Sequence, residues 1–244
     1  MKTSLRYQVT AIFCLLHINM AMAQLNTYQV NRLAHPLEVD ADWDKSEWQQ
    51  VKPIELTNYM GKKPDHFPRV QAKIAYDDNY IYLIWKVEDQ YIRAVAKAHQ
   101  GPVYQDSCVE FFFIPDGLGG TEYFNLEMNC GGTMLFHHQD FGNPEKVNIS
   151  NQDIGSMKVA HTMPRLVLDE IQKPTTWYLE YAIPFDMLRK YYQFEVPSSG
   201  DLWRANLYKC ADKTSHPHWL TWSPVDFPEP RFHLPEFFGN LVFE

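Results

Sequence analysis

Short runs of alternating apolar and polar residues recur along this chain, each stopped by proline, glycine or an Asp/Asn turn. Alternation at period two belongs to half-buried strands, and such punctuation ends them before a helix could form. The clearest unit is Val70–Tyr76, the turn Asp77-Asp78-Asn79, then Tyr80–Val87, which reads as a hairpin. Further strands are expected at Cys108–Ile114, Tyr123–Asn129, Thr133–His137, Met157–His161, Trp177–Ile183, Leu202–Tyr208, Trp219–Trp222 and Leu241–Phe243. Helical signals are confined to Asp42–Trp48 and to Pro184–Lys190, where a proline opens the segment and bases close it. The pattern predicts an all-β chain: an antiparallel β-sandwich of jelly-roll or immunoglobulin-like architecture with one or two short helices.

Residues 1–23 follow a different logic. Lys2 and Arg6 precede an apolar run through Ala11–Leu16, and Ala21-Met22-Ala23 closes it. This is the layout of a secretory signal, with cleavage expected after Ala23 and export to the periplasm, cell surface or medium. No later segment is apolar enough to span a bilayer, so no membrane insertion is expected after cleavage. Residues 24–244 then form one domain, without repeats or a linker. The signal holds two bases and no acid, so its removal takes the net charge from −8 to −10. An acidic surface repels phosphate backbones, which argues against nucleic acid as a partner but not against neutral ligands. With 7 Trp, 14 Tyr and 15 Phe, aromatic surface is available for such a ligand. Cys108, Cys130 and Cys210 allow one disulfide and a free thiol, or three buried thiols, and their spacing matches no zinc pattern. Asn148-Ile-Ser150 forms a glycosylation sequon.

Catalytic arrangements are sparse. There is no Gly-x-Ser-x-Gly, and His137-His138 would point to opposite faces of a strand. Those histidines, with His216 and His218, read as solvated. Glu110 and Glu127 lie on neighbouring expected strands, and an acid pair is what glycoside hydrolysis needs, although acids are abundant along the chain. In Ser107–Ile114, parity places Cys108, Glu110 and Phe112 on one face and Val109, Phe111 and Phe113 on the other. Glu110 is therefore shielded by apolar neighbours and needs hydrogen-bond donors, which sugar hydroxyls, an arginine or backbone amides would supply.

Five segments occur in a telling order: Val39–Trp48, Lys73–Tyr82, Tyr104–Phe113, Glu180–Phe185 and Phe238–Val242. The series resembles the family 9 carbohydrate-binding modules and their relatives, β-sandwich domains related to DOMON-type folds, from about Pro36 to the end. The resemblance implies non-catalytic binding of a terminal sugar in polysaccharide catabolism, alongside glycan-degrading enzymes. It implies a grip between two rings, Tyr104 and Phe232, with Glu110, Asn125 and Arg231 beside them. Both rings replace the tryptophans of strong binders, and Asn125 replaces a longer basic side chain. It implies no cofactor beyond a structural calcium, for which Asp40, Asp42 and Asp44 offer oxygens. Trp85, Trp177 and Trp203 are expected in the core and Trp43 and Trp48 at the sandwich end, while Trp219 and Trp222, which precede the loop Pro224–Pro235 leading to Phe232, read as core ahead of site. Two rival readings are a hydrolase using Glu110 and Glu127, and a DOMON-like haem module using Met128 or Met134 with His137.

Overall fold

A computed structural model of the chain describes residues 25–117, 120–143 and 145–244. The expected signal and its cleavage point lie outside the described residues. The Asp77–Asn79 turn forms as the sequence predicts. The Asp77 carboxylate accepts from the amides of Asn79 and Tyr80 at 2.7 and 2.8 Å and from the Tyr82 hydroxyl at 2.7 Å, so the turn is fastened by its own first residue.

Strands dominate. The first group is β1 (Thr27–Arg32), β2 (Ile54–Glu55), β3 (Asn58–Tyr59), β4 (Arg69–Tyr76) and β5 (Tyr80–Ala94). Then come β6 (Cys108–Ile114), β7 (Glu122–Asn129), β8 (Met134–Asp140) and β9 (Lys146–Asn148). The chain closes with β10 (Lys158–His161), β11 (Val167–Pro184), β12 (Leu202–Cys210), β13 (Trp219–Thr221) and β14 (Gly239–Phe243). Three four-residue helices, α1 (Ser46–Gln49), α2 (Asn151–Ile154) and α3 (Phe185–Leu188), punctuate them. The sequence anticipated α1 and α3. It also carried a signal for α2, because Ser150 caps it by accepting from the Asp153 amide at 3.1 Å.

The ladders run continuously as β10-β11-β5-β4-β1-β14-β12-β6-β7-β8-β9. The expected two-sheet sandwich is thus one large curled sheet, and its pairing is not antiparallel throughout. β1 runs parallel to both neighbours, pairing Thr27–Val30 with Asn240–Phe243 of β14 and Asn31–Arg32 with Ala75–Tyr76 of β4. Parallel neighbours need a long crossover, and here the body of the chain supplies it. The curl closes the two halves over a single apolar core. Trp85 and Trp177 come from one half and Trp203, Phe111 and Phe113 from the other, all at most 1% exposed.

Two of the five recognisable segments meet at Glu180 of β11. Its buried carboxylate accepts from the amides of Asp40 and Ala41, the Lys45 ammonium and the Trp48 indole, at 2.7–2.9 Å. A buried charge with this many donors is a structural anchor, and it explains why Trp48 is fully buried. Asp40 and Asp42 accept from the amides of Asp42 and Asp44 respectively, and Asp40 also pairs with Lys45. Among the described residues, the ligand oxygens of Asp40, Asp42 and Asp44 do not converge on one point.

Candidate functional site

The parity expected in β6 holds. Val109, Phe111 and Phe113 enter the main core, whereas Cys108 and Phe112 belong to a second apolar cluster on the outer face. That outer face continues across β12, β7 and β8, and the chain from Pro224 to Phe238 folds over part of it. Phe232 from this loop stacks on Tyr208 of β12, ring centroids 4.1 Å apart and 13° from parallel. His233 Nδ1 beside it lies 2.8 Å from the Tyr123 hydroxyl and 3.0 Å from the Gln139 amide nitrogen.

Where the loop stops, a cavity of about 390 Å³ opens. Tyr104, Trp219 and Phe232 supply its rings, Glu110, Glu127 and Asp212 its acids, and Lys146 and Arg231 its bases. Tyr104 projects from a 3₁₀ turn, Val103–Gln105, just before β6, and is 39% exposed. Phe232 is only 9% exposed, since one ring face is spent on Tyr208. Trp219 is half-buried, and its indole N–H donates to Asp212 Oδ1 at 2.8 Å. Of the two readings open to the pair, Trp219 packs on the second cluster and also lines the cavity, while Trp222 is buried in the core. Strand alternation separates the two, because residues three apart face opposite ways.

Glu110 and Glu127 face one another across the β6–β7 ladder, 2% and 5% exposed. Burial pushes the Glu127 carboxyl up to about 7. It pushes Glu110 well above the ordinary carboxylate range, helped by the neighbouring Cys210 and Glu127. Glu110 accepts from the Cys210 thiol at 3.0 Å, and Glu127 Oε1 accepts from the Asn125 amide at 3.0 Å. Glu127 Oε2 has no hydrogen-bond partner although it is buried. Asn125, fully buried, does not line the cavity. It stands behind Glu127 and orients it.

Of the residues expected from the sequence, Tyr104, Glu110, Arg231 and Phe232 are brought to one cavity and Asn125 is not. His137 and Asp212 were missed, and sequence ranks Trp219 as core ahead of site. The histidines are not generally solvated. His137 lines the cavity, where burial pushes it down to about 4. His218 is fully buried and accepts from the Lys209 ammonium at 2.7 Å. His138 is buried on the face opposite His137, as parity required. Met128 and Met134 lie in the main core, away from His137 on the outer face, so neither pairs with it around a haem.

Cys108 and Cys210 are ladder partners, and with Glu110 their ligand atoms lie within 4.8 Å of one another. This trio is the donor set that would suit a soft divalent ion. Burial pushes the Cys210 thiol and the Glu110 carboxyl upward and Cys108 up to about 12. Cys108, Cys130 and Cys210 are all buried free thiols.

A family model described as carbohydrate-binding family 9 matches residues 36–243. Among solved structures, the chain is similar to a "putative carbohydrate-binding protein" from Bacteroides uniformis, at 29% identity and a TM-score of 0.82, over 91% of this chain and 100% of that one. It also shares its fold with a family 9 module from Caldicellulosiruptor kristjanssonii. In complex with cellotriose that module gives 13% identity and a TM-score of 0.61, covering 90% of this chain and 94% of that one. In complex with glucose it gives 14% identity and a TM-score of 0.57, covering 90% and 96%. No curated protein matches the chain.

Proposed function

The chain belongs to carbohydrate-binding family 9, and from that membership we propose that its cavity holds the terminal sugar of a glycan without transforming it. The observation that carries this reading is the pairing of accessible rings with buried acids in one cavity. Tyr104 and Trp219 offer flat apolar faces to the C–H side of a sugar, while Glu110 and Glu127 take its hydroxyls. The volume falls in the range of small-ligand sites. The second ring of the grip is assigned to Trp219 rather than Phe232, because Phe232 already stacks on Tyr208. Export, a place in polysaccharide catabolism and glycan-degrading partners complete the proposal, supported by the layout of residues 1–23 and by family membership.

One observation favours a hydrolase: the two glutamates share a ladder position and a cavity. Glycoside hydrolysis, however, needs environments that push its two carboxyls apart, one kept protonated and one ionised. Here burial pushes both upward, and family membership is what favours binding over cleavage. The test is a glycan array with residues 24–244, followed by calorimetric titration of the hit and an assay for reducing-sugar release. A bound glycan with no release supports the proposal. Release abolished by Glu110→Gln or Glu127→Gln would replace it with the enzyme.

A further inference from the structure

The cavity floor holds two buried carboxyls and no cation of its own. Glu110 and Glu127 are ladder partners on one face. Among the described residues, no basic side chain lies within 4.0 Å of either. The one fully buried lysine of β12, Lys209, is committed elsewhere, to His218 at 2.7 Å and Asp89 at 3.6 Å. The two bases that line the cavity, Lys146 and Arg231, are exposed and largely screened by solvent, and Lys146 opposes the upward shift of Glu127 less than burial drives it. Donors are also short. Glu110 has one thiol and Glu127 one amide, and the buried Glu127 Oε2 has no partner, in a side chain that lines the cavity and is 5% exposed. Above this floor stand Tyr104 and Trp219, whose ring faces attract cations as well as C–H groups.

We propose, resting on the sugar-binding reading of this cavity, that its preferred ligand is an amino sugar whose protonated amine sits between Glu110 and Glu127. An ammonium brings three donors and a positive charge, which the two carboxyls can meet as ionised acceptors. A hydroxyl brings one donor and no charge. Binding an ammonium also draws a proton off the floor, because two carboxyls that burial keeps protonated ionise once a cation lies between them. The other titratable and charged groups facing this floor are Lys146 and Arg231 at the exposed rim, and Asp212, Cys108, Cys210, His137, His233 and Tyr208 around it. The histidines supply no cation, since burial pushes both down to about 4, which leaves the two rim bases as the positive charges lining the cavity.

The test titrates residues 24–244 calorimetrically at pH 6.5 with glucosamine, galactosamine, glucose, galactose and N-acetylglucosamine. The last keeps the skeleton but not the charge. At least one amino sugar is expected to bind ten times more tightly than its neutral counterpart. Glu127→Gln is expected to reduce that preference to about twofold. Independently of any variant, the enthalpy of amino-sugar binding should vary with the ionisation enthalpy of the buffer, reporting proton release, while that of a neutral sugar should not. Neutral sugars binding as tightly as amino sugars, or a buffer-independent enthalpy, would overturn the inference and leave the sugar-binding reading intact. A glycan array without any hit would overturn both.

Discussion

Phe232 and Tyr104 entered as equivalent rings, and the structure makes them unequal. Phe232 is 9% exposed against Tyr208, so Phe232→Ala empties a packed position and should cost about 3 kcal/mol of stability. Tyr104→Ala should leave the melting temperature unchanged and weaken sugar binding about fivefold, the worth of roughly 50 Å² of apolar contact. Trp219→Ala should weaken binding at least as much. Melts and titrations of the three variants decide the matter, and a destabilised Tyr104 variant would remove it from the site. A second residue-scale prediction concerns pH. Glu127 is pushed up to about 7 from an ordinary value of 4.5, so its folded form holds a proton that the unfolded chain releases. Its contribution is therefore complete below about 4.5, declines between 4.5 and 7, and is flat above. Buried His137 and His233, pushed down to about 4, act in the opposite sense over part of that range. The informative quantity is thus the difference between wild type and Glu127→Gln, and the variant should gain relative stability from pH 5 to 8. An unchanging difference would mean that Glu127 is ionised throughout. Sequence parity already gave the face of Glu110. Nothing in sequence gave the exposure of Phe232, because that depends on a loop folding back onto β12.

Strand periodicity made most elements readable, since local alternation and turn chemistry set them. The 70–87 hairpin and the faces of β6 follow from residue order alone. Apart from β1, what escaped was short or irregular. β2, β3 and β9 are two or three residues long and carry too little alternation to register. β11 runs eighteen residues, but register shifts between Val167 and Ile171 and between Gln172 and Thr175 interrupt its pattern. Within the closing segment, Gly239 shows why a recognisable motif holds the residue it does. A Cβ there would stand 2.7 Å from the Asn26 carbonyl oxygen and 2.9 Å from the Trp222 ring. The backbone cannot retreat without breaking the pairing of Thr27 with Asn240, and Trp222 is itself buried. Gly239→Ala should therefore cost about 1–3 kcal/mol in urea melts, as overpacking does. Sugar affinity of the folded fraction should hold, because Gly239 lies outside the cavity. A neutral substitution would show that Trp222 swings aside freely.

Closure of the whole molecule depends on a strand that the sequence pattern concealed. β1 sits between β4 and β14 and links the half carrying β5 and β11 to the half carrying the cavity. Parallel partners lie far away in sequence, so no local turn announces them. A chain beginning at Gln24 keeps β1 whole, whereas one beginning at Ala34 lacks it. The loss would strip the partners from Asn240–Phe243 and from Ala75–Tyr76, leaving two bare strand edges. It would also remove Val30 and Tyr28 from the core, with the Tyr28 hydroxyl bond to the Lys52 carbonyl at 2.7 Å. Bare edges invite pairing between molecules. The 34–244 chain should accordingly elute as larger species on size exclusion and show no cooperative melt, while 24–244 shows one. The vacated slot has a defined direction and two flanking ladders, so a synthetic peptide of residues 24–33 supplied in trans should restore part of the cooperative transition, as added strands do elsewhere. A scrambled peptide should not. If 34–244 melted cooperatively within a few degrees of the longer chain, β1 would be a dispensable filler and the two halves would hold together through their shared core alone.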